Sequence, residues 1–263
     1  MQPITRTSLL CLCLLLLHGC ATLPPGSTRS PRDPWERMNR TTFALNQSLD
    51  KAVLRPVAHG YRKVTPQLLQ TGFRNFMDNI SYPITMVNDL LQGQFRPFVN
   101  DTFRLVLNST IGIGGLFDPA TRAGLDKNER DFGQTLGKWG VKSGPYFVIP
   151  VLGPSDVRDA FGRTVDEFTD PRFYIKNPWW NWGLWALDKV DLRSRLLFTD
   201  AVLDNAYDPY AFVRNAYLQR RDFLVNGPVP LEEPPDDSDG DSTSTPATPP
   251  AAPPGTPPAS KPN

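Results

Sequence analysis

The chain has 263 residues, with 28 Lys and Arg against 27 Asp and Glu and a formal charge of +1. That balance, without a basic run or a nucleic-acid-binding motif, excludes nucleic acid as an expected partner. Two histidines and three cysteines at unsuitable spacings predict no metal site and no cofactor.

Residues 1–19 carry one charge, Arg6, and then an unbroken apolar stretch from Leu9 to Leu17, the layout of a secretory signal peptide. Nine residues at 1.5 Å rise cover about 14 Å, well short of the roughly 20 residues a membrane-spanning helix needs. The run ends in "LHGC" at Cys20. Cleavage before Cys20 removes Cys11 and Cys13, leaves one thiol and permits no internal disulfide; acylation of the Cys20 sulfur explains the leftover cysteine. Several acyl chains at about 0.8 kcal/mol per buried CH₂ hold a protein stably on its membrane. Ala21, where Asp would signal inner-membrane retention, points to the outer membrane. The alternatives are a soluble secreted protein cut elsewhere and a cytoplasmic protein with a buried N-terminal helix. Residues 20–32 read as a lipidated linker.

The core from 33 to 227 reads as one all-α domain of amphipathic helices. Asp-Pro recurs at Asp33, Asp118, Asp170 and Asp208, the pairing expected where Asp caps a helix and Pro takes its first position. In "DPWE", Glu36 at the third position completes a capping box. Trp35, Met38, Leu45, Leu49 and Val53 then form one stripe, with a stop predicted at Arg55-Pro56. Further helices are predicted from Pro66 through Ile80, from Pro83 through Leu91, and from Pro97 into the glycines of "IGIGGLFDPA". Asp156–Phe168, Pro178 to about Asn205, and Pro209 to about Leu224 complete the set, the last stopped by Asn226-Gly227-Pro228.

Catalytic residues are not expected. His59 is the one histidine after the signal segment, no G-x-S-x-G turn accompanies it, and a polar helix-end position suits it. "GIGG", Gly112–Gly115, lacks the Lys and Ser/Thr of a phosphate-binding loop and reads as a tight turn or close helix approach.

Two stretches suit lipid contact. In "NPWWNWGLWALDKV", Trp179, Trp180, Trp182 and Trp185 fall within two helical turns, and indoles gather at the headgroup level; the other reading is a helix wholly buried in a large core. In "SGPYFVIPVLGPSD", Phe147, Ile149 and Leu152 belong to an apolar run too short to span a membrane and, with Pro150 and two Gly-Pro pairs, too kinked for a regular strand. A core segment and a loop lining an apolar passage fit it equally. From Pro228 to Asn263 come 12 of the 28 prolines, six acids against Lys261, and no aromatic residue, predicting a disordered tail, either a tether or a solvated end.

The blocks "DPWERMNR" (Asp33–Arg40), "LNSTIGIGGLFDPA" (Leu107–Ala120), "DFGQTLGKWGVKSGPYFVIPVLGPSDVRDAFG" (Asp131–Gly162) and "DPYAFVRNAYLQRRDF" (Asp208–Phe223) give the chain its resemblance to the MlaA/VacJ outer-membrane lipoproteins. The resemblance implies a ring of helices in the inner leaflet of the outer membrane, lipid-anchored on the periplasmic side and associated with a trimeric porin. Through its central polar channel, mislocalised phospholipids would leave the outer leaflet for a soluble periplasmic lipid-binding carrier of the Mla pathway, without catalysis. By position, the resemblance assigns channel and gate to Asn39, Phe43, Leu107, Gly112, Gly114, Gly115, Asp131, Lys138 and Lys142. The rival expectations are a structural lipoprotein linking outer membrane to cell wall through its tail, and a phospholipase dependent on His59.

Overall fold

The computed structural model describes residues 30–228. The signal segment, Cys20 and all of the tail beyond Pro228 lie outside the described residues. The fold is mostly helical, as expected, with one small sheet.

Helix α1 (Glu36–Leu49) runs without a break through a π-helical turn (Asp50–Leu54) into α2 (Arg55–Val64). The stop predicted at Arg55-Pro56 is therefore corrected. The widened turn places the Arg55 N–H on the Asp50 carbonyl, and the register shift it makes lies directly before Pro56, the residue with no N–H to donate. The capping box is also corrected: α1 has no side-chain cap. Asp33 instead is buried, taking hydrogen bonds from Asn39 Nδ2 at 2.8 Å, from the Tyr210 hydroxyl and from Arg214 at 3.0 Å.

Helix α3 (Gln67–Leu91) is a single helix of 25 residues with Pro83 inside it, where a new start was expected. Pro83 removes the donor that would reach the Asn79 carbonyl. Side-chain bonds to α4 (Phe95–Thr110) straddle the gap: Asn79 Nδ2 donates to Ser109 Oγ at 3.0 Å, and Arg104 Nε to the Tyr82 hydroxyl at 2.6 Å. After the Gly112–Gly115 turn come α5 (Pro119–Arg122) and α6 (Phe132–Lys138). Asp118 caps α5, and Arg104 ties that cap to α4 at 3.0 Å.

The all-α expectation fails at one place. Tyr146–Ile149 (β1) and Gly153–Asp156 (β2) form an antiparallel hairpin, with Tyr146 opposite Asp156 and Ile149 opposite Gly153. Pro150 lies in the connecting turn, outside the ladder, and Val151 and Gly153 take positive φ of 67° and 88°. Two amides on one face of α1 hold the hairpin. Asn39 Nδ2 donates to the Tyr146 carbonyl at 3.1 Å and its Oδ1 accepts from Val148 N at 3.0 Å; seven residues on, Asn46 bonds the Ile149 carbonyl (3.0 Å) and Val151 N (2.8 Å) at the tip. A strand pair too short to stand alone is thus completed by side chains.

Helix α7 (Val157–Asp166) follows, capped by Asp156, and crosses α6 so closely that a Cβ on Gly162 would lie 2.4 Å from Gly133 N. A 3₁₀ turn at Pro171–Tyr174, capped by Asp170, leads to α8 (Pro178–Leu196), capped by Asn177. The helix expected to reach Asn205 breaks at a 3₁₀ turn (Leu197–Thr199) before α9 (Asp200–Asp204). Last comes α10 (Pro209–Asn226), capped by Asp208 and ended by Gly227 at φ 83°.

Burial runs opposite to that of a water-soluble protein. Among the described residues 22 polar or charged side chains are buried against 10 apolar ones, whereas isolated carboxylates and guanidinia ordinarily stay wet. On α1 the buried residues are Glu36, Asn39 and Thr42, while the apolar stripe of Met38, Leu45 and Leu49 is exposed. Likewise α4 buries Asp101, Arg104 and Asn108 and exposes Val99, Phe103 and Val106. Among the described residues one buried apolar cluster, Tyr146, Val148, Tyr210 and Leu218 with Phe43 and Tyr217 against it, binds the hairpin to α10. Around it lie ion-pair networks: Arg40 between Glu36 and Asp208, and Arg221 between Asp131 and Asp159. Such pairs add little net stability, yet deleting one partner costs about 3–5 kcal/mol. No helix among the described residues is long and apolar enough to cross a membrane.

Candidate functional site

A cleft of about 720 Å³ opens between α3, the hairpin tip, α7 and α8, a volume that suits a sizeable organic ligand. Its walls come from four parts of the fold. Ile84 of α3 and the hairpin tip, Val151 and Leu152, supply an apolar edge. Helix α7 and the segment after it supply Arg163, Asp166, Glu167, Asp170, Arg172 and Phe173. One side of α8 completes the wall, with Asn181, Trp185, Asp188 and Leu192 at helical spacing beside Trp182 and Lys189.

The polar wall is internally ordered. Arg172 grips the Asp170 carboxylate through Nε (2.9 Å) and Nη2 (2.6 Å), and that bond raises its pKa above the usual guanidinium range. Lys189 Nζ lies 3.0 Å from Asp188. Burial pushes Asp166 up to about 6, opposed by the Phe132 N–H at 2.9 Å and Asn88 Nδ2 at 2.9 Å. Trp182 and Trp185 meet edge to face, 5.9 Å between centroids. An apolar edge facing a charged wall is the arrangement an amphiphile requires.

A second cavity of about 250 Å³ lies against Ser81, Thr85, Arg130, Asp131 and Arg221, and Ile84 belongs to the walls of both. There Arg221 bonds Asp131 at 2.6 and 2.9 Å and holds its carboxyl below the usual range against the opposing effect of burial.

The four predicted tryptophans divide. Trp182 and Trp185 line the main cavity; Trp179 and Trp180, 84% and 68% exposed, do not. Leu152 lines it as well, whereas Phe147 and Ile149 are half-buried on the opposite side of the strand from Tyr146 and Val148. Of the residues assigned to channel and gate, Asp131 borders the smaller cavity. Asn39 is fully buried and spent on the hairpin and Asp33, and Phe43 packs edge-on against Tyr210 at 5.7 Å. Leu107, Gly112, Gly114 and Gly115 build the turn after α4, where the Leu107 carbonyl takes Ile111 N and Gly112 N. Lys138 and Lys142 are exposed, and neither lines a cavity described here. His59 is exposed on α2.

The charged residues at the end of α7 and its C-cap escaped the sequence reading. Their signal was present, since Arg163, Asp166 and Glu167 share helical spacing. When apolar faces turn outward, the polar face of a helix is the one to search.

The chain matches the family described as "MlaA lipoprotein" over residues 31–224. It is 40% identical over 84% of its length to the "Intermembrane phospholipid transport system lipoprotein MlaA" of Escherichia coli strain K12, covering 89% of that protein. The protein of the same name from Haemophilus influenzae is 33% identical over 81% of this chain and 87% of its own. A Rickettsia bellii protein is 37% identical over 81% of each chain. A solved structure described as "Structural basis for maintenance of bacterial outer membrane lipid asymmetry" superposes with a TM-score of 0.68 at 39% identity, covering 75% of this chain and 100% of that one. A match across almost the whole described fold, motif blocks included, leads to one conclusion: the chain belongs to the MlaA lipoprotein family.

Proposed function

We propose that this protein removes mislocalised phospholipids from the outer leaflet of the outer membrane and passes them inward, without catalysis. The observation that carries the reading is the reversed burial: an apolar exterior around buried charge, with an open cleft of amphiphile size lined by apolar and charged side chains. A body of that kind is at home in lipid, and its polar interior spares a headgroup the loss of hydration, several kcal/mol or more for charged groups, that crossing hydrocarbon imposes. The names of the relatives, phospholipid transport lipoproteins, support the same reading. On this view the helices form a ring in the inner leaflet around the cavity, and an acylated Cys20 tethers it from the periplasmic side. A trimeric porin holds it, and a soluble periplasmic carrier receives the lipid.

The test is outer-leaflet phospholipid, read as acylation of lipopolysaccharide by a leaflet-sensing enzyme, in cells lacking the protein. Acylation should rise and fall again on complementation. Ile84→Trp, which fills the wall shared by the two cavities, should complement poorly at normal abundance. An unchanged level in the deletion strain, with its detergent barrier intact, refutes the transport function.

A further inference from the structure

We propose that the main cavity selects a zwitterionic, amine-bearing headgroup, with its phosphate on Arg163 and its ammonium on Glu167. The assignment rests on the transport reading and adds a substrate class to it. Seven charged side chains line the cavity, and five are committed to neighbours. Arg172 is bound to Asp170 through two nitrogens. Lys189 is paired with Asp188. Both oxygens of Asp166 accept hydrogen bonds, one from Asn88 and one from the Phe132 N–H.

Arg163 and Glu167 remain. Among the described residues, neither side chain has an ion-pair or hydrogen-bond partner; both are exposed, and both line the cavity. They stand four residues apart, Arg163 in the last turn of α7 and Glu167 at its C-cap with helical backbone angles, so their Cβ atoms are about 5–6 Å apart on one face. The arginine precedes the glutamate, the weaker order for a pair along a helix, which leaves both charges open to a ligand. In an ethanolamine headgroup two methylenes separate the phosphate ester oxygen from the ammonium, a span that matches two charged side chains one helical turn apart. The guanidinium forks onto phosphate oxygens, and the carboxylate accepts the N–H donors of a primary amine. A glycerol headgroup has a phosphate for Arg163 but no cation for Glu167, whose carboxylate would then face a net negative ligand. The acyl chains would leave toward Ile84, Leu152 and the two cavity tryptophans, the apolar edge of the same space.

The experiment uses the full-length lipidated protein purified in non-ionic detergent. It is equilibrated with mixed micelles of equal phosphatidylethanolamine and phosphatidylglycerol and repurified, and the bound lipid is measured by mass spectrometry. Several-fold enrichment of the ethanolamine lipid is expected. Glu167→Lys should reverse the ratio toward the glycerol lipid, and the exchanged double variant Arg163→Glu with Glu167→Arg should restore the ethanolamine preference. Equal binding of both lipids by the native protein, or an unchanged ratio in Glu167→Lys, overturns the headgroup assignment and leaves transport standing. No bound phospholipid at all overturns both.

Discussion

Replacing Asn39 with alanine tests how the hairpin is held. The side chain is fully buried and makes three bonds: to Asp33 Oδ1 (2.8 Å), to the Tyr146 carbonyl (3.1 Å), and from Val148 N (3.0 Å). Its removal leaves a buried carboxylate oxygen, a carbonyl and an amide N–H short of a partner, each costing about 1–3 kcal/mol. The three sit in one network and do not add fully, so a loss of about 3–5 kcal/mol is expected, a large part of a typical total stability of about 5–15 kcal/mol. Denaturant unfolding in detergent micelles gives the energy, and amide hydrogen exchange gives its location, since Val148 should lose protection ahead of α4. Asn39→Asp should be no milder near neutral pH, because it places a second acceptor against Asp33 where a donor was. A loss below about 1 kcal/mol, or Val148 exchange unchanged from the native protein, would refute this account.

Other consequences are open to simpler measurements. Gly112→Ala puts a Cβ 2.4 Å from the carbonyl oxygens of both Asn108 and Phe117 and should destabilise by at least about 1–3 kcal/mol. Gly60→Ala, on α2 with nothing within 4 Å, should stabilise by about 0.5–1 kcal/mol, and denaturant midpoints compare the two. Burial pushes Asp89, Asp156 and Asp166 up to about 6, so the native state holds their protons more tightly than the unfolded chain. Their destabilising effect is full above that value and fades as pH falls toward the unfolded carboxylate pKa. Asp118, Asp131 and Asp208 are held low, chiefly by Thr121, Arg221 and Arg40, and their contribution is lost as pH falls through those lower values. Tm should therefore rise from about pH 7.5 to about pH 5 and fall below about pH 3.5, as scanning calorimetry would register. A Tm that declines steadily from pH 7.5 to pH 5 contradicts the burial of these carboxyls.

Local signals were legible in the sequence where the chemistry is local. Asp118, Asp170 and Asp208 each cap the helical segment that their Asp-Pro pair foretold, and Gly227 ends α10 where a stop was read. Proline misled twice, because nothing near Pro56 or Pro83 in the chain announces a π turn or the cross-helix bonds of Asn79 and Tyr82 that carry the helices through. The hairpin was hidden for a similar reason: its support comes from Asn39 and Asn46, more than 100 residues upstream. Of the residues expected to meet lipid, Trp182, Trp185 and Leu152 lie on the cavity wall, but Arg163 and Glu167 did not stand out, since a charged helical face looks the same whether it meets solvent or a ligand.

The π turn between α1 and α2 acts as a vernier. One additional residue in a helix slips the azimuth of everything downstream by about 100°, so a single rod can address two clients lying in different directions. Upstream, its inner line serves the hairpin through Asn39 and Asn46; downstream, Tyr61 reaches Asp191 on α8. Arg193, which joins Asp50 to Asp200, locks the setting in place. Excising one residue from 50–54 would straighten the spiral and turn one half of the rod away from its client, so the offset itself, more than any side chain in that turn, is what the fold has to preserve.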